Sequence, residues 1–180
     1  MTAYDGPQER AYLGLGGNIG RPAEAMSAAL GALNRNTEVK VEQVSSLYRT
    51  PPWGKEDQPD FLNAVAAVRT QLSPRALLDL CLDTERVLKR ERRERWGPRL
   101  IDIDILLFGT QNFAEDDLHI PHPRMLDRAF VLVPLAEIAP GLSLDGRPIG
   151  EHIGRLDSSG IERVSADRNW WRDANPPVSS

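Results

Sequence analysis

One cysteine, Cys81, stands in 180 residues. That count excludes a disulfide framework and a cysteine-built metal site. No apolar run approaches the length of a membrane span, and no N-terminal apolar segment resembles a secretory leader. A cytoplasmic protein with no membrane partner is the expectation. A basic surplus is also missing: 22 Lys and Arg face 26 Asp and Glu, for a formal net charge of −4. Nucleic-acid binders usually carry the opposite balance, so no nucleic-acid partner is expected. No internal repeat is visible. With 41% hydrophobic residues the chain has a lean but sufficient core, and its length fits one domain.

What is present is a regular alternation of strand-like and helix-like segments. "AYLGLGGNIG" (11–20) reads as a buried strand running into a glycine-rich turn, behind a loose lead-in over residues 1–10. "PAEAMSAALGAL" (22–33) reads as a helix with Pro22 at its start and Met26, Ala29, Leu30 and Leu33 on one face. Residues 38–50 read as one strand, 51–60 as a Pro- and Gly-rich loop, and 61–70 as a strand pairing with the first. Ser73 and Pro74 supply a cap and first turn for a helix over 75–93. Residues 100–108 read as a strand, and 120–140 as a turn followed by a helix that stops near Pro140. The order β-α-β-β-α-β predicts an α+β, ferredoxin-like antiparallel sheet with helices packed on one face and a C-terminal extension. The domain is expected over 1–158. The polar segment 159–180 is expected as a tail, from which Trp170 and Trp171 could dock on the body.

Within "RWGPRLIDIDILLFG" (95–109), Asp102 and Asp104 interrupt an apolar run. Strand alternation points both to one face, roughly 6.6 Å apart along the strand, with Ile101, Ile103 and Ile105 facing the core. Paired carboxylates at that spacing can converge on two hard cations, which two-metal phosphoryl-transfer sites hold about 3.5–4 Å apart. The ordinary alternative is a half-exposed strand with a solvated polar face. Immediately upstream, "KRERRERWGPR" gathers Lys89, Arg90, Arg92, Arg93, Arg95 and Arg99. Guanidinium forks suit phosphate oxygens, although Glu91 and Glu94 also allow a salt-bridged helix surface. Trp96, Gly97 and Pro98 end the helix and turn the cluster into a loop that leads to the acidic strand. Glu85 lies on the apolar stripe of Leu78, Cys81, Leu82 and Leu88, where a carboxylate needs a partner or an exposed head.

Phe61 and Asn63 share a strand face, an aromatic plane beside an amide, which suits a flat heterocycle with ring nitrogens. The preceding "RTPPWG" contributes the Thr50 hydroxyl and a proline-restricted turn. His122 and Arg128, in "IPHPRMLDRAF", could donate to phosphate, while a histidine between prolines is more often structural. "GLGGNIG" has neither the lysine of a P-loop nor the context of a dinucleotide fold, and reads as a tight strand-to-helix turn.

Taken in order, "YLGLGGNIG", "SSLYRTPPWG", "QPDFLNAV", "RERWGPRLIDIDILLFG" and "IPHPRMLDRAFVLVPLAEIAP" closely resemble the 6-hydroxymethyl-7,8-dihydropterin pyrophosphokinase family of folate biosynthesis, over roughly residues 11–142. The resemblance implies a transferase that moves pyrophosphate from ATP to the pterin hydroxymethyl group. It implies that Asp102 and Asp104 hold two Mg²⁺ ions, and that Arg90, Arg92, Arg99, His122 and Arg128 contact the triphosphate. Trp96 would lie on a loop closing over the site, Glu85 would bind the ribose or phosphate end, and backbone groups near Ile105 would face adenine. Thr50, Pro51, Trp53 and Asn63 would border the pterin, with Phe61 and Phe130 stacked on its faces. ATP and the pterin would be the partners of a monomer. Trp53 stands where an aliphatic residue is common in the family, and Gly17 where a serine is usual. The arginine segment 89–95 has a variable register there. Two other classes compete on residues alone. A nucleotidyltransferase also pairs glycines with D-x-D, but places them close together. A nucleic-acid module on such a sheet would use the arginines.

Overall fold

The computed structural model of the chain describes residues 8–52, 57–92 and 101–172, with the backbone alone for 90–92. Strand β1 (Glu9–Gly17) already includes two residues expected in the lead-in. Ala11, Leu13 and Leu15 go to one face of it, buried, while Tyr12 packs on the other. Helix α1 (Pro22–Arg35) carries the expected buried stripe of Met26, Ala29, Leu30 and Leu33, and opens on Pro22, whose missing N–H costs nothing in a first turn.

The strand expected over 38–50 is broken in two, β2 (Val39–Val44) and β3 (Tyr48–Thr50). A serine pair causes the break. Ser45 N donates to the Val65 carbonyl at 2.8 Å and Ser45 Oγ accepts from Val65 N at 2.9 Å, so a side chain replaces a main-chain partner. Ser46 N leaves the sheet altogether and donates to Glu137 Oε1 at 2.9 Å. β4 (Phe61–Thr70) follows, then α2 (Pro74–Arg92), where Ser73 Oγ accepts from Ala76 N at 3.1 Å as the expected cap.

β5 (Asp102–Phe108) is antiparallel to β1, and a register shift opposite Tyr12 and Leu13 gives β5 one extra residue. Leu106 and Leu107 consequently face the same side, and Phe108 returns to the other. Next come the hairpin β6 (Phe113–Glu115) and β7 (Leu118–Ile120), a single helical turn over Met125–Asp127, and α3 (Ala129–Ile138). The chain continues through β8 (Ser143–Leu144), β9 (Arg147–Pro148), α4 (Ile149–Gly154) and β10 (Glu162–Arg163).

The main sheet runs β10-β3-β4-β1-β5, with β2 also on β4, and all these pairs are antiparallel. Helices α1 and α2 bury one face through Leu30, Leu33, Leu77 and Cys81. The expectation of helices on one face holds only for that pair. Residues of α3 and α4, among them Leu132, Leu135 and Ile149, pack with Val65, Ala67, Leu106 and Leu107 on the opposite face. Among the described residues no helix is long and apolar enough to cross a membrane.

Residues 162–172 are built into this body rather than trailing from it. β10 pairs with β3, and Val164 N donates to the Leu47 carbonyl at 2.8 Å. Trp170 is fully buried in the α1–α2 core, and its Nε1 donates to the Ser45 carbonyl at 2.8 Å. Ser27 Oγ donates to the Trp171 carbonyl at 2.7 Å. The docking expected of Trp170 and Trp171 is seen, while the pairing of β10 is what the polar composition of the segment hides.

Removing a fully buried indole costs about 3–5 kcal/mol. Trp170→Ala should lower unfolding stability in urea by that amount. Trp170→Phe should lose less, about 1–3 kcal/mol, chiefly from leaving the Ser45 carbonyl without its donor. A chain deleted over 159–180 with unchanged stability would contradict this account of the segment.

Candidate active site

A cavity of about 580 Å³ opens on the α3 side of the sheet. Its floor is set by strand register. Tyr48, Asn63, Gly16 and Asp102 form one row across β3, β4, β1 and β5, and Gly14 stands between Val65 and Asp104. A Cβ at Gly16 would come within 2.9 Å of Asn63 Oδ1, and one at Gly14 would touch Leu106 at 3.4 Å. The glycines therefore lie within the strand as a bare floor, not in the turn where sequence placed them.

One wall is amide and aromatic. Asn63 Nδ2 donates to Thr50 Oγ1 at 3.1 Å, which fixes the amide of a nearly buried residue. Pro51 and Phe61 adjoin it, and Phe130 enters from the first turn of α3 with the Arg128 guanidinium 5.7 Å from its ring centroid. The facing wall is charged. Asp102 is partly exposed and Asp104 exposed, both lining the cavity, while Ile103 and Ile105 sit in the opposite core. Neither carboxylate is buried, so the alternation of β5 delivers them to open space.

His122, Arg124, Asp127 and Arg128 complete the lining. His122 N donates to the Leu106 carbonyl at 2.9 Å, and Arg124 N donates to His122 Nδ1 at 3.2 Å. An accepting Nδ1 leaves the proton of the neutral imidazole on Nε2. Burial holds the His122 pKa below its ordinary value, against the opposing pull of Asp104, and the Arg128 and Arg124 charges push the same way as burial.

Of the residues singled out in the sequence, Thr50, Pro51, Phe61, Asn63, Asp102, Asp104, His122, Arg128 and Phe130 meet in this cavity. Glu85 does not line it. It sits nearly buried on α2, its carboxylate 3.6 Å from Lys89 Nζ, with its pKa raised first by burial and then by the Asp102 charge. Ile105 is buried in the α1–α2 core. Trp53, Trp96 and Arg99 lie outside the described residues, as do the side chains of Arg90 and Arg92, whose backbone closes α2. Sequence reasoning missed Gly14 and Gly16, whose signal was the period-2 alternation with Leu13 and Leu15, and Arg124 and Asp127, which share the His122–Arg128 segment.

Among the described residues no group of three or more His, Cys, Asp or Glu gathers to hold a metal. A closed structural zinc site does not fit that set. Two oxygen donors fit a hard cation such as Mg²⁺, which takes one or two carboxylates and completes its shell with water and substrate phosphates.

Comparison with known proteins supplies the chemistry to set against this geometry. The family model for 7,8-dihydro-6-hydroxymethylpterin-pyrophosphokinase matches residues 12–140. A 2-amino-4-hydroxy-6-hydroxymethyldihydropteridine pyrophosphokinase of Methylorubrum extorquens is 50% identical over 86% of this chain and 98% of its own length. The enzyme of the same name from Pseudomonas aeruginosa is 46% identical over 87% of this chain and 97% of its own. Among solved structures, a triple mutant of Plasmodium falciparum HPPK-DHPS superimposes with a TM-score of 0.67 at 19% identity, over 84% of this chain. The present chain spans 44% of that longer protein, and the likeness bears on fold alone.

The His122 environment makes a prediction that needs no ligand. In the free protein its imidazole should titrate below its ordinary 6.5, so it is neutral at pH 7 and charges only as the pH falls. Asp104→Asn removes a neighbour whose charge favours the cation and should move the titration lower still. A histidine NMR titration at or above 6.5, or one that rises in the Asn variant, would contradict the assignment.

Proposed function

The chain belongs to the 7,8-dihydro-6-hydroxymethylpterin-pyrophosphokinase family, and from that premise we propose which of its residues carry the reaction. It is a transferase that moves pyrophosphate from ATP to 6-hydroxymethyl-7,8-dihydropterin, leaving AMP, in folate biosynthesis. The observation that carries the residue assignment is a single shared space. The carboxylates of Asp102 and Asp104 and the amide–aromatic wall of Asn63, Phe61 and Phe130 open into one cavity. A phosphate donor and a flat heterocyclic acceptor would meet there.

In this reading Asp102 and Asp104 hold two Mg²⁺ ions together with the ATP phosphates. When bound, those ions neutralise phosphate charge and ease proton loss from the attacking hydroxyl. The chain itself binds and aligns, which is most of what phosphoryl-type transfer requires. Asn63, held by Thr50, presents Oδ1 and its second amide hydrogen to the pterin edge, with Pro51 and Trp53 along the rim. Phe61 and Phe130 stack on the ring. His122 Nε2–H, Arg128 and Arg124 donate to phosphate oxygens, and Arg90 and Arg92, at the end of α2, and Arg99, before β5 in the sequence, join them. Glu85, Trp96 and the backbone near Ile105 serve the nucleotide end. Gly14 and Gly16 let a ligand lie against bare strand. No strong general base is needed in this scheme.

The sheet order, taken with β2 and β3 as one interrupted strand, supports a ferredoxin-like core. The protein is proposed to act as a cytoplasmic monomer. The rival nucleotidyltransferase and nucleic-acid readings lose their ground to the family match.

The direct test mixes the protein, ATP, Mg²⁺ and the pterin and follows AMP, which should form only when all are present. Replacing Asp102 or Asp104 by Ala should cost on the order of a hundredfold or more in turnover, the scale of losing one preorganised electrostatic contact. Near-normal rates in both variants would sink the two-ion account. Gly16→Ala should raise the KM for pterin about tenfold by displacing the Asn63 amide, the scale expected of a small misplacement. An unchanged pterin KM would remove Gly16 and Asn63 from the site.

A further inference from the structure

Glu137 takes no part in the chemistry above. It lies on the last turn of α3 with its side chain 14% exposed. Three donors from one short stretch of chain converge on its carboxylate. Ser46 N and Tyr48 OH donate to Oε1 at 2.9 and 2.7 Å, and Ser46 Oγ donates to Oε2 at 2.8 Å. Arg168, from the C-terminal segment, places Nε 3.8 Å from Oε2. Ser46 is fully buried and Tyr48 nearly so. Charge-assisted hydrogen bonds of this kind are about twice as strong as neutral ones. Burial first, and then the Glu137 charge, push the Tyr48 phenol up to about 12, so its hydroxyl stays a donor at neutral pH.

The two elements joined here, α3 and β3, carry Phe130 and Thr50 of the aromatic–amide wall, and β3 pairs with β4, which carries Phe61 and Asn63. On α3, Phe130 is seven residues before Glu137, two turns away on the same side of the helix and about 10 Å along its axis. On β3, Thr50 is two residues beyond Tyr48 and shares its face, and Tyr48 stands opposite Asn63 in the register. A shift of α3 against β3 at Glu137 would therefore be passed to Phe130 on one side and to Thr50, and through it Asn63, on the other. Surface pairing alone does not explain such a carboxylate: both oxygens are committed, and every hydrogen bond goes to the strand break at 45–47 or to β3.

We propose that Glu137 is a positioning residue for the pterin half of the cavity, setting the separation of Phe130 from Thr50 and Asn63 by clamping α3 to β3. The inference rests on the reading of that wall as the pterin site. Its signature is a split between substrates. Glu137→Ala should raise the KM for pterin about tenfold, the order of effect of a small misplacement, and leave the KM for ATP within about twofold. Glu137→Gln keeps the shape and an acceptor oxygen while its amide can donate to Ser46 Oγ, so it should restore most of the loss. Tyr48→Phe, which removes one donor of three, should fall between.

The measurement is steady-state kinetics with each substrate varied, alongside thermal unfolding of every variant. Equal rises in both KM values, or lost stability with both KM values unchanged, would overturn the proposal. If the Ala variant does not fold, Tyr48→Phe and Ser46→Ala carry the same test. Asn63→Ala separates the two layers of argument. If it leaves the pterin KM unchanged, the pterin reading and this proposal both fall. If it raises that KM while the Glu137 and Tyr48 variants do not, the positioning role alone is wrong.

Discussion

The cavity depends on a central strand that, from Gly14 to Gly16, carries side chains on one face only. β1 is hydrogen-bonded on both sides, to β4 and β5, so its backbone is held from both directions. Leu13 and Leu15 fill the core beneath it, while Gly14 and Gly16 leave the upper face empty. Glycine inside an element costs roughly 0.5–1 kcal/mol relative to alanine. Two antiparallel partners offset that cost here. The benefit is space beside Asn63 that no other residue would leave, since even one methyl would stand 2.9 Å from its Oδ1. The walls can be charged on one side and aromatic on the other because the floor between them belongs to neither.

β5 shows how one strand serves two environments. Ile103 and Ile105 anchor it to the α1–α2 core while Asp102 and Asp104 reach the cavity. That phase cannot continue, because beyond the cavity the same face must become apolar for α3. The extra residue inserted after Ile105 makes the change: Leu106 and Leu107 both turn to the α3 core, and Phe108 resumes the other side. A bulge next to a site, re-aiming side chains and ending the polar stretch, is a frequent use of that irregularity.

Much of this was legible in the sequence, for stated reasons. Period-2 spacing put Asp102 with Asp104 and Phe61 with Asn63, and strand geometry leaves little freedom to override it. The cap at Ser73 and the proline start of α1 were local signals and behaved as such. What escaped was non-local. The 45–47 break depends on Val65, Glu137 and Trp170, each far away in the chain. The glycines of β1 looked like a turn because glycine usually means one, although their alternation with Leu13 and Leu15 was in view. Trp170 and Trp171 stood out as possible docking points, but the β10 pairing of the residues before them was hidden by their polar composition. The same remoteness conceals Glu137, which lies two turns beyond Phe130 on α3 and is bonded to β3 two residues before Thr50.

The acidic pair remains the feature that most constrains where such a strand can sit. Two carboxylates roughly 6.6 Å apart repel by about 0.6 kcal/mol in water and about 2.5 kcal/mol at an effective dielectric constant of 20. The first is negligible beside the stability of a domain, and the second is a substantial part of it. A doubly buried central strand would impose the larger figure together with the desolvation of both charges. β5 avoids this by lying at the edge of the main sheet, with Asp104 exposed and His122, Arg124 and Arg128 across the cavity. The edge position thus spares the pair the desolvation that a doubly buried strand would impose. A cation held between them would relieve the residual repulsion, so the placement that makes the fold tolerable also suits the Mg²⁺ role proposed for the pair.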